Sequence, residues 1–120
     1  MRLLFVFLIV ALGTVSASAQ SVGTAKSDVQ ELLGWCTQNQ SDALHVNCVQ
    51  YIAGVSDALW LNEKLSANKA ILCPGGDAPY DARVQAFINW AANNPKRWNA
   101  SRQVGVTAAI METWPGPCKS

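Results

Sequence analysis

Apolar residues recur along this chain at three- and four-residue steps in four separate segments, and no stretch of useful length alternates as a half-buried strand would. The pattern predicts an all-α fold, a small bundle of four main helices. In the first segment Ser27 is placed to cap a helix with Gln30 reaching back to it, and Val29, Leu32, Leu33 and Cys36 form the stripe to be buried. Polar residues from Thr37 to Asp42 read as a loop. The second helix is expected from about Leu44 to Lys64, burying Cys48, Ile52, Val55 and Leu59 and turning Asn47, Gln50, Asp57 and Lys64 to the other side. Gly54 stands in its middle, where glycine costs about 1 kcal/mol against alanine, so a neighbouring helix or ring is expected to approach the backbone there.

Ser66 to Asp77 is a connection broken by Cys73-Pro74-Gly75-Gly76. Asp77, two residues ahead of Pro79, is a start signal for a third helix, and its stripe of Tyr80, Val84, Phe87, Ile88 and Ala91 is the cleanest in the chain. Asn93-Asn94-Pro95 stops it. Asn99 is placed to cap a fourth helix, Ala100 to Trp114, with Val104, Thr107, Ala108 and Met111 facing inward and Val106 and Ile110 widening that face. A short connection makes the third and fourth helices antiparallel neighbours, which puts the start of one beside the end of the other.

The first 19 residues follow a different pattern. A positive charge at Arg2, an apolar run from Leu3 to Leu12 and the small residues Ala17-Ser18-Ala19 make a secretory signal, with cleavage expected after Ala19. Ten apolar residues span only about 15 Å as a helix, half of a bilayer core of about 30 Å, so no membrane attachment is expected after cleavage. Residues 20–120 are then one small domain.

All four cysteines, Cys36, Cys48, Cys73 and Cys118, survive that cleavage, and an even set outside the cytoplasm reads as structural staples. No C-x-x-C spacing occurs, and His45 is the only histidine, so no metal site and no cofactor are expected. The helix geometry sets Cys36 at the end of the first helix against Cys48 at the start of the second. It also sets Cys73 near Cys118, and these are the two disulfides expected of the three possible pairings.

Charge and chemistry narrow the function by exclusion. The chain has nine Lys+Arg, one of them Arg2, against eight Asp+Glu, so the mature domain is balanced and advertises neither nucleic acid nor an anionic membrane as partner. No G-x-S-x-G elbow, free thiolate or facing carboxylate pair assembles, and the chain is not expected to be an enzyme. His45 reads as a surface or capping residue and Asp57 as part of a solvated face. Five tryptophans, Trp35, Trp60, Trp90, Trp98 and Trp114, should mostly anchor the core. The segment best suited to recognition is Asn93-Asn94-Pro95-Lys96-Arg97-Trp98-Asn99, two charges and a ring between two helices, with Asn94, Lys96, Arg97 and Trp98 as the candidate contacts. Trp98 can be a contact residue there or a plug folded back on the core, and the plug is favoured.

The order Cys48-x-x-Tyr51-x-x-Gly54-x-x-Asp57, then Cys73-Pro74, then Asn94-Pro95-x-x-Trp98, then Trp114-Pro115 before Cys118 resembles the Rap/Tai family over residues 32–118. Those are periplasmic immunity proteins against type VI secretion amidase effectors. Many members read aromatic-Pro-Cys at the last motif, where this chain inserts Gly116-Pro117. The resemblance implies a periplasmic inhibitor, often a homodimer, that lodges a surface loop in the active-site cleft of a peptidoglycan amidase. Two other readings fit a stapled helical domain, a periplasmic stress chaperone switched by its carboxylates and a module binding an apolar ligand among its tryptophans.

Overall fold

The computed structural model describes residues 27–65 and 78–116. They form four α-helices, α1 (Val29–Cys36), α2 (Ala43–Leu65), α3 (Tyr80–Asn93) and α4 (Arg102–Thr113), with a 3-10 turn, Pro95–Arg97, between the last two. No strand occurs among the described residues, only an isolated bridge between Asp28 and Ser101.

The helices begin one to three residues away from the expected starts. Asp28, not Ser27, caps α1, its carboxylate accepting from the Glu31 N–H at 2.9 Å. Ser27 is engaged differently, its carbonyl accepting from the Arg102 N–H at 3.0 Å. Ser101, not Asn99, caps α4 by accepting from the Val104 N–H. At α3 the cap position is Pro79, which offers no side-chain bond. The expected cap Asp77 lies outside the described residues.

Each helix contributes to one core. Phe87, Leu32, Ile52, Val29, Val106 and Cys48 are fully buried, and each large apolar side chain among them stabilises the fold by about 1.5–3 kcal/mol. Trp90 is buried with them, while Trp35, Trp98 and Trp114 pack half-buried against the cluster. The stripes expected of α1 and α2 are the ones that face inward. In α3, Val84, Phe87 and Ala91 do so, but Tyr80 is 46% exposed.

The fourth helix is turned from its expected face. Gly105, Val106, Ala109 and Ile110 are buried, whereas Val104 and Met111 point outward. The cause is Gly105, where an added Cβ would stand 2.5 Å from Val29 Cγ2 and 3.2 Å from Trp90 Cζ3. The close approach expected at Gly54 is therefore made at Gly105, and nothing lies within 4 Å of a Cβ at Gly54. The third and fourth helices pack against one another as neighbours, and Glu112 and Thr113 in the last turn of α4 share a cleft with Ala86, Asn89, Trp90 and Asn93 of α3.

One expected staple is present, Cys36 to Cys48 with Cα atoms 5.2 Å apart. It ties the end of α1 to α2 across the loop from Thr37 to Asp42. His45 Nδ1 sits 3.2 Å from the Cys36 carbonyl oxygen, a capping position at the end of α1. The expected Cys73–Cys118 bridge lies outside the described residues.

Candidate partner-binding surface

The connection between α3 and α4 is held by its own backbone and by two side chains. Arg97 N–H donates to the Asn94 carbonyl at 2.9 Å and Ala100 N–H to the Arg97 carbonyl at 2.9 Å, closing two successive turns. Asn94 Nδ2 donates to the Trp90 carbonyl at 2.8 Å, capping the last turn of α3. Trp98 turns its ring toward the core, and its indole N–H donates to the Ala91 carbonyl at 2.8 Å. From the other side α1 binds the same segment, with Gln30 N–H on the Trp98 carbonyl and Val29 N–H on the Ala100 carbonyl.

Pro95, Lys96 and Arg97 remain exposed at the crest. The Arg97 guanidinium lies 5.5 Å from the centroid of the Trp90 ring, which holds its charge near the surface of the turn. A fixed backbone presenting two cations loses little freedom on meeting an anionic partner, and that is the chemical capacity of this site.

The residues of the Tyr51, Gly54 and Asp57 motif separate onto two surfaces. Tyr51 and Gly54 line a groove of about 490 Å³ between α2 and α4, with Ala58, Gln103 and Thr107. The Tyr51 ring lies 4.6 Å from the Arg102 guanidinium, which also stacks 5.2 Å from Trp35 and stands 4.0 Å from a Glu31 carboxylate oxygen. Arg102 thus joins α1, α2 and α4 at one point.

Asp57 faces a different cleft, of about 700 Å³, beside Trp60, Leu61, Pro79 and Tyr80. It is not the merely solvated residue expected. Asp57 Oδ1 accepts from Arg83 at 2.8 Å and Oδ2 from the Tyr80 hydroxyl at 3.0 Å. Arg83, only 4% exposed, also donates to Ser56 Oγ at 2.6 Å and to the Ala78 carbonyl at 2.9 Å. The hydrogen bond to Asp57 and the negative charge behind it raise the Tyr80 phenol above its ordinary pKa. Arg83, Arg102 and Gly105 were not singled out in the sequence. An arginine one turn into an apolar α3 stripe, with Asp57 in the middle of the preceding helix, was the available signal.

Among the described residues no group of three or more His, Cys, Asp or Glu is arranged to hold a metal ion, and no helix is long and apolar enough to cross a membrane. A family model described as Rap1a immunity proteins matches residues 28–118. No curated protein and no solved structure matches the chain.

Proposed function

The chain belongs to the Rap1a immunity protein family, and from that premise we propose that it shields its own cell from a peptidoglycan amidase delivered by type VI secretion. Membership of the family implies binding to a cognate effector. In this reading the mature chain, cut after Ala19, works in the periplasm as a homodimer. The turn around Lys96 and Arg97 enters the amidase cleft and excludes its substrate, and no chemistry is asked of the inhibitor.

The observation that supports this reading is the pinned turn. Asn94 and Trp98 each spend a side-chain hydrogen bond on α3, so Lys96 and Arg97 are presented on backbone that is already ordered. Preorganised loops bind tightly because less ordering remains to oppose association.

Co-expression in the periplasm with a candidate amidase is the direct test. Survival of cells that lyse without the protein supports the reading, and lysis at undiminished levels of the protein sinks it. The mass of protein recovered from the periplasm should correspond to a chain beginning at Gln20.

A further inference from the structure

We infer that the polar cleft at the foot of the Lys96–Arg97 turn is a second contact point for the effector, and that it takes one side-chain carboxamide, from an asparagine or glutamine of that partner. This rests on the inhibitory reading above and deepens it. The cleft, of about 280 Å³, is lined by Asn89, Trp90, Asn93 and Asn94 from α3 and its cap, and by Glu112 and Thr113 from α4. Asn94 immediately precedes Pro95, so the cleft and the exposed cations belong to one continuous surface. Trp90 is only 5% exposed, and its indole N–H is buried with no acceptor among the described residues. The benzo edge of that ring is turned to Gly105 through Cζ3, and the N–H lies on the opposite edge. A buried donor is costly to leave without a partner. The fold pairs the neighbouring indole, Trp98 with the Ala91 carbonyl, and leaves this one unpaired.

The groups around that donor select its acceptor. Asn94 and Thr113 have already spent hydrogens on the Trp90 and Ala109 carbonyls, at 2.8 and 2.7 Å, which leaves oxygen lone pairs on both. Glu112 is exposed, and its carboxylate only accepts. The cleft therefore offers one buried donor among acceptors. A carboxylate from the partner would take the Trp90 N–H but meet the charge of Glu112. An ammonium would pair with Glu112 but bring no acceptor for Trp90. A primary carboxamide does both, with its oxygen on the indole N–H and its NH2 on Glu112 or Thr113. The small volume suits a single side chain and not an extended strand. In the free protein the Arg97 guanidinium lies 5.5 Å from the Trp90 ring centroid. A partner that draws this charge to itself takes it off the ring and opens the way to the N–H.

The test uses the mature, disulfide-bonded protein with isotopically labelled tryptophans and the amidase of the co-expression assay. The Trp90 indole resonance, assigned through its own backbone, should move downfield when the amidase is added, as the N–H gains an acceptor. Glu112→Lys changes an exposed position and leaves Lys96 and Arg97 in place. Calorimetric titration should show it binding at least about tenfold more weakly, and Glu112→Gln, which keeps an acceptor oxygen, recovering most of that loss. Changing the asparagines and glutamines of the amidase one at a time to their acids should find one that weakens binding to wild type and is rescued by Glu112→Lys. A complex that forms with wild-type affinity in Glu112→Lys and leaves the Trp90 resonance unmoved overturns this inference while the occlusion reading stands. So does a cross-peak between water and the Trp90 N–H in the free protein, which would mean that a buried water already accepts from it. Lysis in the co-expression assay removes both.

Discussion

At the scale of single residues, the two helix glycines that matter have opposite surroundings, and substitution should separate them. Gly105→Ala forces a methyl group against Val29 and Trp90 and should destabilise by about 1–3 kcal/mol. Gly54→Ala meets nothing and should stabilise by about 0.5–1 kcal/mol through helix propensity. Urea unfolding of both variants checks this, and equal shifts of one sign would contradict the packing described. Sequence reasoning chose the wrong glycine because periodicity registers a missing side chain without registering what stands opposite. Asp57 escaped for a related reason: its partner Arg83 reaches it across two helices. Tyr80 reports on that cluster. Its raised pKa means the phenol stays protonated beyond the ordinary tyrosine range, and the sign follows. The neutral form is favoured in the fold, so the contribution is present below the unfolded pKa and is lost as pH rises through the folded one. In Asp57→Asn the carboxylate charge is gone, and tyrosinate absorbance should show Tyr80 titrating lower than in wild type.

At the scale of elements, the stripes of α1 and α2 were legible because Val29, Leu32, Cys36, Cys48 and Ile52 repeat at helical spacing and every one is buried. The caps were less so. Ser27 and Asn99 are capable residues that stand next to better placed ones, and the choice is made by the bonds between residues 27–30 and 98–102, which no local pattern contains. For the turn before α4, Trp98→Phe removes the indole donor and leaves the Ala91 carbonyl without it, at an expected cost of about 1 kcal/mol in thermal or urea unfolding. Replacing Lys96 and Arg97 together by glutamate should do less to stability, because the Arg97–Trp90 contact contributes about 0.5–1 kcal/mol at an exposed position. Its effect belongs to binding, where calorimetric titration against the amidase should show affinity reduced at least about tenfold. Unchanged affinity would take the turn out of the interface.

At the scale of the whole molecule, four helices and a staple between the first two could be read from residue spacing, while the face that α4 turns to the core could not, because it depends on what stands opposite Gly105. Replacing Cys36 and Cys48 together by alanine should cost about 3 kcal/mol in the chain-entropy account, a large share of what a domain of this size has to lose. A melting temperature unmoved by that change would mean that packing alone holds α1. Non-reducing peptide mapping should find Cys73 joined to Cys118, and alkylation of either without reductant is the contrary result. The backbone bonds from residues 27–30 to residues 98–102 also bear on the order of folding. A chain emerging with its N-terminus first makes α1 long before the segment that receives it. Such contacts between distant parts of a sequence close late and slow the search. The first helix must therefore wait for the last, and the molecule stays open to threading until nearly its whole length has been delivered.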